Sequence, residues 1–241
     1  MVTRSWRTAV AATLGVAFLL GFDAHAQSAE SILQKARDTY GQLKSYADTG
    51  SVMNEYGSSS VDKHSFSTAF SRSPRHFLLD FHKQGGDQYV IWADPDAFHT
   101  WWKTTGQQID YPNPNNVPAI GMSGQNTAQA ALKIPTLLWG KTFSSAMLNI
   151  ADAQLDGAEA IGGRHCHRIS GRASDTYTAT HKEVNIRKVT LWIDADSFLV
   201  RKMTEEFKAL PGQRSRMITT YEPQANATLD DASFRFTAPA E

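Results

Sequence analysis

The chain has 241 residues, with 24 basic and 24 acidic side chains, 41% hydrophobic residues and 10% aromatic ones. The even charge balance argues against nucleic acid or an anionic membrane surface as the main partner, and the apolar share excludes general disorder. Cys166 is the one cysteine, which excludes an internal disulfide and leaves stability to packing.

Arg4 and Arg7 give a positive start, residues 9–22 are almost unbroken apolar sequence, and Ala24-His25-Ala26 places small residues where a signal peptidase reads. The pattern predicts an exported chain, residues 1–26 being a signal peptide cleaved after Ala26. The apolar run is shorter than the roughly 20 residues that span a bilayer. No cysteine lies near the cleavage point, so no lipid attachment is expected and the mature chain is expected to be a periplasmic protein without a transmembrane segment. Residues 27–241 are expected to form one domain, a length that large β-rich domains reach.

Ser28 can cap a helix in which Ala29, Ile32, Leu33, Ala36, Tyr40 and Leu43 recur at helical spacing, which predicts an amphipathic helix over 29–45. Period-two segments then predict strands at 49–56, 63–71, 75–82, 88–94 and 98–104, with turns at Ser73-Pro74, Gln84-Gly85-Gly86-Asp87 and Asp94-Pro95-Asp96. Such short connections favour antiparallel neighbours. From Tyr111 the prolines 112, 114 and 118 and the asparagines 113, 115 and 116 break the pattern into a long loop. Residues 127–139 predict one or two short helices, capped by Asn126 or Thr127, with Pro135 threatening a kink. A second strand series follows at 151–159, 164–171, 184–194, 198–208 and 213–221, and the tail 226–236 reads as a loop ending in a short strand.

Several strands are apolar on both faces. Phe77, Leu79 and Phe81 oppose Leu78, Tyr89 and Ile91 oppose Val90 and Trp92, and Val189, Leu191 and Ile193 oppose Trp192. Such a sheet must be covered on both sides. The fold class expected is therefore mainly β with some α: a strongly curved antiparallel sheet, an unclosed β-barrel, covered by the N-terminal helix and a helical lid insert.

His165-Cys166-His167 carries good zinc ligands, but a strand points Cys166 away from the two histidines, so no metal is expected. Asp194-Ala195-Asp196 fits a hairpin turn better than a metal site. No phosphate loop, nucleophile elbow or paired-histidine zinc helix is present, and no catalytic residue or cofactor is expected. His64, His76, His82 and His99 are spread along the first strand series without a nucleophile beside them in sequence. The insert is the most suggestive segment: Leu132, Ile134, Leu137, Leu138 and Trp139, then Phe143, Met147, Leu148 and Ile150, too apolar to sit in water. It reads either as a core helix or as a lid over a cavity that an apolar ligand displaces.

Residues 29–36 with Tyr40, Leu43, Tyr46 and Gly50, then Phe70, Arg72, Pro74 and Arg75, resemble the opening of the LolA/LolB lipoprotein-carrier superfamily. Leu191-Trp192-Ile193-Asp194 with Leu199, Arg201 and Lys202 is similar to its late hairpin, and Tyr221, Asn226, Leu229, Asp230 and 234–236 to its closing segment. The resemblance implies an unclosed barrel whose hydrophobic interior holds acyl chains. The loop and insert from Tyr111 to Ile150 are longer than in the carriers. On this reading Phe77, Leu79, Phe81, Ile91, Trp92 and Trp102 line a cavity, and Leu132, Leu137, Leu138 and Trp139 cap it. The expected ligand is a lipid or acylated lipoprotein held without chemistry. An envelope sensor that binds a protein partner with the same fold is the second expectation, and an envelope hydrolase the third.

Overall fold

The computed structural model of the protein describes residues 28–57, 60–112, 131–139, 147–174, 186–210 and 213–239. The expected signal segment 1–26 and the expected cap at Asn126 or Thr127 lie outside the described residues. Helix α1 spans Ala29–Gln42, followed by β1 (Ser45–Tyr56), β2 (Ser60–Arg72), β3 (Arg75–Lys83), β4 (Gln88–Ala93), β5 (Phe98–Trp102) and β6 (Gln107–Tyr111). Helix α2 (Lys133–Trp139) precedes β7 (Ala151–Ile161), β8 (Arg164–Ser174), β9 (Ile186–Asp194), β10 (Val200–Leu210), β11 (Gln213–Tyr221) and the short β12 (Gln224–Ala225).

Ser28 caps α1, its Oγ accepting the Ser31 N–H at 3.1 Å, and the stripe Ala29, Ile32, Leu33, Ala36 and Tyr40 is buried. The helix stops short of the expected residue 45. Arg72 supplies the reason: its guanidinium donates to the carbonyls of Leu43 at 2.7 Å and Tyr40 at 3.2 Å, satisfying acceptors that the last turn leaves open. Leu43 turns to extended backbone and Ser45 begins β1.

The strands form one antiparallel sheet in the order β6-β5-β4-β3-β2-β1-β11-β10-β9-β8-β7, with β12 pairing β1 at its start. The first and last long strands meet at the centre, Gly50 facing Tyr221. Gly50 is there because a Cβ would lie 2.2 Å from the Phe66 ring and 2.4 Å from the Thr220 carbonyl oxygen. The sheet does not close, since β6 and β7 are its two ends. They are also consecutive strands in chain order, and helix α2 lies between them in sequence.

Tight hairpins set the register. Gly162 and Gly163 both have positive φ, 56° and 77°, as a two-residue turn between twisted strands requires. Asp94 and Asp194 each end a strand and accept two backbone N–H groups of the following turn, from Asp96 and Ala97 and from Asp196 and Ser197. The Asp194-Ala195-Asp196 stretch is thus the hairpin turn expected. Strand β6 was not expected: Gln107 to Ile109 and Asp110 are exposed at the sheet edge, so no apolar alternation marks it. The tail differs too. A 3-10 turn at Asp231–Phe234, capped by the Asp230 carboxylate, replaces the expected terminal strand, and its aromatic side chains rather than its backbone meet the sheet.

The helices lie against one face and the tail against the other. On the helix side a continuous core joins α1 and the insert to both halves of the sheet. On the outer face Phe234 packs on His76, and Phe236 on Trp92 and Trp101, each about 5 Å between ring centres. That outer cover explains why β3, β4 and β5 are apolar on both sides.

Candidate functional site

The inner face of β3 supplies the floor of the concavity. Phe77, Leu79 and Phe81 are fully buried, paired across to Phe70, Thr68 and Phe66 on β2 and to Ala93, Ile91 and Tyr89 on β4. The other half continues it with Ile169, Val189, Leu191, Met203 and Met217. Above this floor sit Ile32, Leu33, Ala36 and Tyr40 of α1, then Leu132, Ile134 and Leu138 around α2, then Met147, Leu148 and Ile150. Ile150 reaches the sheet where Gly171 leaves room, a Cβ there lying 2.2 Å from the Ile150 Cγ2. Pro135 falls in the first turn of α2, where its missing N–H breaks no helical bond, and a turn at Leu132 separates α2 from helical residue 131.

The structure brings most of the sequence-derived lining together. Phe77, Leu79, Phe81 and Ile91 are in the floor, Leu132 and Leu138 are buried against it, and Leu137 packs at its margin. Trp102 stands half-buried at the rim, its indole N–H donating to Asp87 at 2.7 Å and Lys83 Nζ lying 5.1 Å over its ring. Trp92 is the correction: it pairs with Leu78 and His99 and therefore points to the outer face. There it stacks on His99 at 5.0 Å and meets the tail, beside a cleft of about 440 Å³ lined by His76, Phe234 and Phe236. Strand alternation already separates it from Ile91. Helix α2 ends at Trp139, whose side chain lies outside the described residues.

The residues 165–167 are split between faces as strand geometry requires: Cys166 lies opposite Asp194, and His167 opposite Ile193. Burial pushes the Cys166 thiol up, with the nearby Asp194 carboxylate adding to the shift. The four histidines of the first strand series occupy separate places. His64 accepts the Gln84 N–H, His76 meets Phe234, His82 lies 3.1 Å from Asp80, and His99 bonds Asp110 at 2.7 Å.

Polar groups inside the concavity escaped sequence reasoning. Under α1, the Tyr46 hydroxyl donates to Asp48 at 2.7 Å, and Tyr40 accepts the Val200 N–H at 3.0 Å. Burial raises the Asp48 carboxyl to about 6 against the hydrogen bond from Tyr46, and it raises Tyr40, Tyr46 and Tyr221 well above the usual phenol value. Beneath α2, Glu205 is only 2% exposed. Its Oε1 takes Lys133 Nζ at 2.8 Å and Arg187 Nη1 at 3.4 Å. The signal for Glu205 was its period-two spacing with Met203 and Phe207, outweighed in sequence by its charge.

Geometry therefore defines an unclosed antiparallel half-barrel with an apolar interior covered by helices. Residues 29–241 match the family described as "Predicted periplasmic protein (DUF2092)", and the chain belongs to that family. No curated protein matches the chain in sequence. Among solved structures it is similar to the lipoprotein LppX of Mycobacterium tuberculosis, at 12% identity and TM-score 0.51, covering 84% of this chain and 97% of that one. LprF from Mycobacterium bovis gives 13% identity and TM-score 0.49, with 88% and 96% covered. A LolA superfamily protein from Nitrosomonas europaea gives 13% and 0.36, with 87% and 98% covered. At these identities the likeness is one of fold alone. Among the described residues no helix is long and apolar enough to cross a membrane.

Proposed function

We propose that this protein is a non-enzymatic periplasmic carrier that holds the acyl chain of a lipid or lipoprotein in the half-barrel, after export and cleavage behind Ala26. One observation supports this reading above the others. The apolar floor is covered by Leu132, Ile134, Leu138, Met147, Leu148 and Ile150, and among the described residues this cover pairs with no strand of the sheet, so it can lift without breaking a described ladder hydrogen bond.

The magnitudes suit exchange. Leu132, Ile134, Leu138, Met147, Leu148 and Ile150 are buried, and each is worth about 1.5–3 kcal/mol, together on the order of 10 kcal/mol. An acyl chain of about sixteen carbons, at about 0.8 kcal/mol per methylene, offers a similar gain. A ligand that takes the lid's place on the floor meets a closed state of comparable free energy, so its apparent affinity is set by the cost of opening.

Native mass spectrometry with lipid extraction, on protein purified from the periplasm, tests the proposal. A copurifying amphiphile that exchanges with added lipid is expected. A protein that carries none and takes up none contradicts it, and recovery of a stoichiometric protein partner without lipid favours the sensor instead.

A further inference from the structure

We propose that the Lys133–Glu205 contact marks a headgroup subsite, in which the primary ammonium of an acyl lipid replaces the lid's lysine on Glu205. The inference rests on the carrier reading and adds the chemical class of the cargo.

Lys133 and Glu205 belong to the two parts that must separate. Lys133 begins α2 and travels with the lid, whereas Glu205 is in β10, one of the inner strands of the sheet, and stays. Their contact, at 2.8 Å, joins a carboxylate that is 2% exposed to an ammonium at the end of a flexible stem. When the lid lifts, Glu205 keeps the Arg187 guanidinium of β9 at 3.4 Å and loses the closer donor at 2.8 Å. A buried carboxylate left with one long contact is under-satisfied, so a ligand that fills the apolar space is favoured if it also restores the close donor.

The carboxylate has further capacity. Among the described residues its Oε2 accepts no hydrogen bond, although the atom is buried. Ser215 adds a second such group: among the described residues its buried Oγ has no hydrogen bond, and it pairs with Phe207, two residues along β10 from Glu205 and so on the same face. A ligand ammonium brings the same three donors as the lysine it replaces, and one free to settle between the Glu205 oxygens can also reach Oε2, which Lys133 leaves unused. A headgroup ending in an anion would instead set two negative charges side by side in a site of low polarity. The floor beside Glu205, with Met203, Met217 and Val189, is apolar and continuous with the chain-binding interior, so chain and headgroup can bind together.

The test compares 1-palmitoyl lysophosphatidylethanolamine with 1-palmitoyl lysophosphatidylglycerol, below their micelle concentrations, by titration calorimetry on the mature protein. The two share chain and phosphate and differ in the ammonium. The wild type is expected to bind the ethanolamine lipid at least tenfold more tightly. Glu205→Gln should bring both lipids to the same affinity, and Lys133→Met, which removes the competing ammonium, should strengthen the ethanolamine lipid severalfold. Free ethanolamine alone should not compete, because it brings no chain. Equal wild-type affinities for the two lipids would overturn the headgroup proposal and leave the carrier reading standing, whatever the variants do. Competition by free ethanolamine would overturn it as well, by showing an independent amine site. Failure of both lipids to bind would remove both readings.

Discussion

Two segments cover the two faces of the sheet, and they are held in different ways. The C-terminal tail is tied through the backbone as well as by its rings: β12 pairs with β1, the Asn226 N–H donates to the Ser45 carbonyl at 2.9 Å, and the Asn226 side chain accepts the Lys44 N–H at 2.9 Å. The described part of the insert rests on the floor by side chains, through its buried leucines and isoleucines, the Lys133–Glu205 pair and the Arg37 guanidinium on the Leu148 carbonyl. Apolar contacts are non-directional and can be replaced by any chain of similar area. Backbone pairing cannot be replaced in that way. On the proposed carrier reading, the tail serves stability and the insert serves exchange.

The largest expected effect comes from the insert. Leu138→Ala should weaken the closed lid by about 2–4 kcal/mol, and so raise the affinity for a palmitoyl lysolipid roughly thirtyfold or more in a calorimetric titration. Phe234→Ala should cost about 2–3 kcal/mol in urea unfolding, through lost contact with His76, while lipid affinity stays the same. A change of affinity in this tail variant would erase the distinction between the two covers.

Asp48 sharpens the comparison from the floor itself. Its folded value of about 6 lies above the ordinary 3.8, so its contribution to stability is fully present below pH 3.8 and is lost as pH rises through 6. Asp48→Asn is neutral at every pH. It should gain on the order of 2 kcal/mol over the wild type at pH 8 and lose that advantage between pH 6 and 4, as followed by urea unfolding across the range. A constant difference at all pH values would show that the carboxyl is not the source. The smallest effect is at the contact between α1 and the insert: Arg37→Met removes one charged hydrogen bond to the Leu148 carbonyl, worth about 1 kcal/mol, and should strengthen lysolipid binding about fivefold.

Much of this architecture was legible in the chain. Ser28 and the stripe from Ala29 to Tyr40 announced α1, and paired turns at Gly85-Gly86 and Asp194 announced the hairpins. The motif residues that carried the superfamily resemblance have identifiable structural tasks: Arg72 closes α1, Gly50 admits the Phe66 ring, and Asn226 anchors the tail. Strand β6 was hidden because an exposed edge needs no apolar alternation. Trp92 was misplaced because two apolar faces look alike until the tail's position is known. Glu205 carried a period-two signal with Met203 and Phe207, but its pairing did not: Lys133 is 72 residues away in sequence, and no local pattern links the two.

The central claim is that the insert leaves the floor when an acyl chain enters. Hydrogen exchange read by mass spectrometry, with and without palmitoyl lysophosphatidylethanolamine, measures this directly. Faster exchange in peptides covering residues 131–150, with unchanged protection of residues 222–239 and of β2 and β3, is the predicted result. Lipid uptake with the insert's protection unchanged, or with the tail released in its place, would contradict it.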